Sequence, residues 1–158
     1  MKIYHNIKPI YNKDAKVLIL GSMPSVISRE KKFYYANKNN RFWPILETLF
    51  KVKLSTSEDK KKFLLNNNIA LWDVFQSVDI SKSSDSSIKN VKYNDILKVL
   101  QETKVKVIFC TGKVSYNALI KHFTLDTLVI YLPSPSSANA KFSLVDLVKE
   151  YRTILDYL

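Results

Sequence analysis

Four short apolar runs punctuate the chain, at residues 17–20, 69–72, 105–110 and 128–131. Continuous runs of this length, rather than alternating ones, suit parallel strands buried on both faces. Between them the spacing turns helical. Phe42, Ile45, Leu46, Leu49 and Phe50 recur at three- and four-residue steps, with Pro44 in the first turn, where its missing N–H costs nothing. Ser55 and Glu58 have the capping-box spacing and predict a second helix through Lys60–Lys62 and Phe63–Leu65. Asn94 is the expected cap of a helix carrying Ile96, Leu97, Val99 and Leu100, and a further helix is predicted over residues 113–123. Ser143 with Asp146 opens a last helix, whose Leu147, Tyr151, Ile154, Leu155 and Leu158 form a core-facing stripe. Strands separated by helices imply a parallel sheet, because successive parallel strands need a crossover and helices supply it. The expected fold class is α/β, a parallel sheet with helices on both faces, in one domain spanning residues 1–158.

In such folds ligands bind beyond the carboxyl ends of the strands. Here those ends deliver the least regular stretches of the chain: residues 21–40, 73–93, 111–112 and 132–140. The first is long for a small domain and rich in aromatics and asparagines, which favours a functional loop over disorder. The second contains the polar run QSVDISKSSDSSIKNVKYN and is expected to be another functional loop. Residues 1–15 read as a surface arm or lead-in to the first strand, with His5 exposed and idle. His122 is expected at the surface, at a helix C-terminus.

The chemistry is narrowed mainly by what is missing. With two glycines the chain has neither GxGxxG nor GxxxxGK[ST], and no GxSxG elbow accompanies its two histidines. The single cysteine, Cys110, excludes an intrachain disulfide and a four-cysteine cluster, and sits where a small buried hydrophobe is expected. No cofactor and no metal centre are expected. No membrane span or lipidation motif is visible, so the expected setting is the cytoplasm. The 25 Lys+Arg against 14 Asp+Glu give a net charge of +11, a balance that favours a polyanion such as nucleic acid. Amides, aromatics and serines at the sheet rim suit a flipped nucleobase and its flanking phosphates.

Gly21-Ser22-Met23-Pro24-Ser25, Phe33-Tyr34-Tyr35-Ala36 and Asn40-Arg41-Phe42-Trp43 closely resemble the uracil-DNA glycosylase superfamily, specifically its hypoxanthine-excising, DNA-deoxyinosine glycosylase branch. Ala70-Leu71-Trp72-Asp73-Val74, the Ser83-to-Ile88 segment, Asn94-Asp95-Ile96 and the Leu132-to-Ala140 segment continue the likeness in the same order, from Val17 to Leu155. The resemblance implies a three-layer α/β/α sandwich around a four-stranded parallel sheet, and a metal-free, monofunctional enzyme that removes a damaged base from DNA. It assigns the catalytic role to Asn40; capping of the following helix is the alternative for that residue. Gly21, Ser22, Met23 and Pro24 are the expected backbone wall of a base pocket, with Phe33 or Tyr35 as the stacking ring. Ser134, Ser136 and Ser137 are the expected phosphate ligands, though serines also build turns. Asp73 is a supporting candidate that orients the site or a water, while Asp85 is expected to brace its own loop.

Two departures set this chain apart from uracil-specific relatives. Met23 stands where they place an Asp or Asn, and Leu132 where they place a histidine. Within the branch resembled, Asn37-Lys38 replaces His-Pro, Thr111 replaces Asn before Gly112, and Pro135 and Ser137 also differ. Preference among hypoxanthine, uracil and other bases stays open on this basis. The rival readings are a nucleic-acid-binding module that excises nothing and a hydrolase of free nucleosides. The expected working form is a monomer whose partner is DNA.

Overall fold

The computed structural model describes residues 1–80 and 88–158. The expected strands are present as β2 (Val17–Gly21), β3 (Ile69–Asp73), β6 (Val107–Thr111) and β7 (Leu128–Leu132), which form a parallel sheet in the order β3-β2-β6-β7. Strand pleating divides their side chains between two cores. Val17, Ile19, Ile69, Leu71, Val107 and Phe109 face one side, where they meet α2 (Phe42–Phe50), α3 (Ser57–Asn66) and α6 (Leu144–Tyr151). Leu18, Leu20, Ala70, Ile108 and Cys110 face the other, against α4 (Ile96–Glu102) and α5 (Lys113–His122). Every residue of β2 and β6 is buried, which is why these strands are continuously apolar in sequence. A 3-10 turn, Arg152–Tyr157, closes the chain.

A second sheet, absent from the sequence-based expectation, completes the other face. β1 (Lys2–Tyr4), β4 (Phe75–Ile80) and β5 (Ile88–Tyr93) form an antiparallel sheet in the order β1-β4-β5. The stretch after β3 is therefore a hairpin and not a long functional loop, and Phe75 and Val78 are buried in the second core. Residues 81–87, with Asp85 and the serines around it, lie outside the described residues. The first fifteen residues are no surface arm: Ile7, Ile10 and Ala15 are buried, and Ile10 exchanges backbone hydrogen bonds with Leu71 at 3.0 and 2.9 Å. That pairing covers the outer edge of β3.

Two caps are displaced from their expected positions. The capping box of α3 is built by Thr56 and Asp59, one residue beyond Ser55 and Glu58. α4 is capped by Asp95, whose side chain accepts from the Lys98 N–H. Asn94 is instead buried, and its side-chain amide donates to the carbonyls of Asp73 (2.9 Å) and Phe75 (3.0 Å), tying the start of α4 to the end of β3. The Ser143–Asp146 box at α6 is as expected. The long first loop holds a short helix, α1 (Val26–Lys31), capped by Ser25. Gly112, the N-cap of α5, has φ +105°, a conformation that costs a side-chain-bearing residue strain, so glycine is required there. His122 is exposed at the end of α5 and stacks on Tyr93 at 3.6 Å.

Candidate active site

The carboxyl ends of the parallel strands open into a cleft of about 860 Å³. It is lined by Gly21 to Arg29, Tyr34, Tyr35, Asn37, Asn40, Asp73, Thr111 to Val114 and Ser134 to Ala138, with Met1 and, from the antiparallel sheet, Ile3 and Ile80. All four expected rim stretches thus reach one place, the 73–93 stretch through Asp73 and Ile80.

Asn40 sits just before α2. Its side-chain oxygen accepts from the Phe42 N–H at 2.9 Å, an Asx-type turn leading into α2, whose N-cap position is taken by Arg41. That bond also assigns the amide: the atom facing an N–H must be the carbonyl oxygen. The NH₂ group then has no acceptor among the described residues and is free to donate into the cleft. The neighbouring Arg41 holds the serine loop. Its backbone N–H donates to Pro135 O at 3.0 Å, and its guanidinium donates to the carbonyls of Pro135, Ser136, Asn139 and Phe142. Asn40 and the Ser134–Ser137 segment, almost a hundred residues apart in sequence, are in this way fixed to each other.

Within that segment the turn-building and ligand-binding readings are compatible. The hydroxyl oxygens of Ser134 and Ser136 accept from the N–H groups of Ser136 and Ala138, each at 3.2 Å. A hydroxyl that accepts still has its own hydrogen to donate. Ser137 is exposed beside them.

The backbone wall at Gly21 has a tighter constraint than expected. A Cβ there would lie 2.5 Å from Asp73 Oδ1 and 3.0 Å from the Tyr35 hydroxyl. Glycine is demanded by the protein's own side chains, before any ligand is considered. The Gly21 and Ser22 carbonyls accept from Val74 and Phe75 at 2.8 and 3.1 Å, whereas the Ser22 and Met23 N–H groups have no acceptor among the described residues. Met23 packs against the second core, and Pro24 is buried with its carbonyl accepting from Arg29.

Of the two candidate rings, Tyr35 lines the cleft and Phe33 does not. Phe33 stacks on Trp43 at 5.8 Å instead. Tyr35 has φ +50°, costly for a bulky residue, and is held there by stacking on Phe42 at 4.0 Å and a 3.0 Å hydrogen bond to Thr111 Oγ1. Burial, chiefly, pushes its phenol well above the ordinary range, so it stays protonated.

His5 overturns its expectation. Its side chain is 3% exposed, and Nε2 lies 2.8 Å from Oδ2 of Asp73, itself 5% exposed. No pattern in the sequence signals this pair, since its members are 68 residues apart and His5 lies in a polar stretch.

The model of the Uracil DNA glycosylase superfamily matches residues 8–158. Two proteins named hypoxanthine DNA glycosylase are similar over most of the chain. The one from Methanosarcina acetivorans is 34% identical across 139 residues, 85% of this chain and 87% of the relative. That from Methanosarcina barkeri is 30% identical across 139 residues, 84% and 86% of the two chains. A solution NMR structure of a Methanosarcina acetivorans protein, placed provisionally among the uracil DNA glycosylases, superposes with a TM-score of 0.81 at 29% identity, over 98% of this chain and 99% of that one. Sequence likeness over most of the chain and a shared fold agree, and the chain belongs to the uracil DNA glycosylase superfamily.

Proposed function

We propose that this protein is a monofunctional DNA glycosylase that excises a deaminated base, hypoxanthine from deoxyinosine, by hydrolysing its N-glycosidic bond. The observation that carries the reading is one cleft lined by Asn40, the Gly21–Pro24 wall and the Ser134–Ser137 segment. The similarity to two hypoxanthine DNA glycosylases names the base. The net charge of +11 suits a DNA partner.

Breaking an N-glycosidic bond builds positive charge on the sugar and negative charge on the leaving base, so groups aimed at those charges speed the reaction. Asn40 is the catalytic residue in this reading. With its oxygen anchored by Phe42 N–H, its NH₂ group donates to the departing base, and the second lone pair of that oxygen holds the attacking water. The Ser22 and Met23 N–H groups supply further donors for a base carbonyl. Since Met23 has no carboxylate, the chemistry rests on these fixed dipoles. Tyr35 is the ring that borders the base. The hydroxyl hydrogens of Ser134, Ser136 and Ser137 bind phosphates beside the flipped nucleotide. No large apolar wedge stands between Ser136 and Ala140, so extrusion favours lesions already weakly paired. Among the described residues no helix is long and apolar enough to cross a membrane, and the enzyme is proposed to work as a monomer on intracellular DNA.

The test is incubation with duplexes bearing one deoxyinosine or one deoxyuridine, followed by alkaline cleavage of abasic sites. Strand breaks at deoxyinosine are expected. Tight binding to both duplexes with no breaks would replace this reading with a binding module, the alternative that Met23 and Leu132 motivate.

A further inference from the structure

We propose that His5 is a positioning residue of the cleft, holding the Asp73 carboxylate so that its free oxygen selects bases that present a ring N–H. The inference rests on the glycosylase reading but not on Asn40. It starts from proton directions. His5 Nδ1 accepts from the Ile7 N–H at 3.3 Å, which leaves the imidazole proton on Nε2, donated to Asp73 Oδ2 at 2.8 Å. Oδ1 is then the oxygen beside Gly21, where its closeness excludes a Cβ. Thr111 Oγ1 lies 3.3 Å from the Leu20 carbonyl, so its hydrogen goes there and the Tyr35 O–H must donate to Thr111. The Tyr35 oxygen, 3.0 Å from the same Cβ point, therefore faces the cleft floor with lone pairs.

The side chains at this floor present acceptors and no hydrogen. A base meeting it must bring its own N–H. Hypoxanthine, uracil and other oxo bases carry a ring N–H next to their carbonyl; adenine and cytosine have a bare ring nitrogen at the corresponding place. Lone pair against lone pair leaves both unsatisfied, the most costly outcome for buried polar groups. The floor thus separates a deaminated base from its parent.

His5 can do this because its segment is tethered on both sides. β1 pairs with β4, and the His5 N–H donates to Gln76 O at 2.7 Å. On the far side the Tyr34 hydroxyl donates to Lys8 O at 2.9 Å, and Ile10 is bonded to Leu71. Rotation of the imidazole would break the bond to Ile7 as well as that to Asp73.

The experiment measures, in an Asn40→Ala background that prevents turnover, the affinity for a deoxyinosine duplex relative to the same duplex with deoxyadenosine. Asp73→Asn is decisive. With His5 still donating, the amide oxygen is pinned and the NH₂ group replaces Oδ1, turning acceptor into donor; preference for deoxyinosine is expected to fall about 10- to 100-fold. Adding His5→Ala frees the amide to rotate and should restore part of the preference, while His5→Gln, whose amide N–H reaches the Nε2 position, should not. An Asp73→Asn/His5→Ala variant as poor as Asp73→Asn alone, or poorer, would overturn the proposal. The ¹⁵N signals of the two histidines, assigned with His122→Gln, give an independent check: His5 is expected as the Nε2–H tautomer, and the opposite tautomer or a freely exchanging ring overturns the pairing. If the parent protein shows no deoxyinosine preference, the substrate reading fails and the base-selecting role falls with it; the histidine signals then report only whether the His5–Asp73 pair exists.

Discussion

The Arg41 guanidinium donates to the Ser136 carbonyl at 2.6 Å, joining the residue after Asn40 to the middle of the serine loop. Arginine suits this position because its planar fork can serve several carbonyls at once, whereas lysine is a point donor. Arg41→Lys is expected to leave at least two of the four carbonyls unpaired. We predict a loss of about 10- to 100-fold in kcat/KM on a deoxyinosine duplex, falling mainly on KM because the serine loop proposed to bind phosphate loosens. Single-turnover and steady-state kinetics separate the two.

Gly21→Ala tests the crowding at the cleft floor. A methyl group 2.5 Å from Asp73 Oδ1 must push the carboxylate or the strand aside. Overpacking of this kind costs roughly 1–3 kcal/mol. Thermal unfolding should show the loss, and base discrimination should fall with it, because the displaced oxygen is the one argued to read the base. A variant with unchanged unfolding temperature and unchanged selectivity would contradict the geometry.

Cys110 is completely buried in β6, and burial pushes its thiol up to about 12. At pH 8 the native protein holds almost no thiolate, so alkylation by iodoacetamide should be very slow and should accelerate only on unfolding. A raised folded value means the contribution to stability is complete below the ordinary thiol range, about 8.5, and is lost as pH climbs from there toward about 12. Alkylation rates across denaturant give the check.

Binding to undamaged duplex should depend steeply on salt. With a charge of +11 and the phosphate contacts proposed above, affinity is expected to fall by about 10³ between 50 and 200 mM salt. A nearly flat titration would argue against DNA as the partner. Asp73→Asn should leave the slope unchanged, since that side chain is proposed to meet a base and not a phosphate.

The four parallel strands were legible in the sequence because a strand buried on both faces has no polar positions to disguise it: β2 and β6 are buried at every residue. The antiparallel sheet was not. In β5 only part of each residue pair faces the core, and Lys89, Asn90 and Lys92 on the open face give it the composition of a loop. Asn94 shows the same limit in a single residue: its type suits a cap, yet burial beside the Asp73 and Phe75 carbonyls gave its amide other partners than the helix end.

What the sequence determined by itself, then, was the layered fold, the superfamily and the motif carrying Asn40, since apolar runs, helical spacing and short motifs are all local. Only the tertiary structure decided which groups share the cleft floor. His5 and Asp73 are 68 residues apart, and their bond exists because β1 pairs with β4, which follows directly from β3. A contact that depends on strand pairing across the whole fold leaves no periodicity in the chain, and so the direction of its protons, on which the selection of a base would rest, could not be read before the chain was folded.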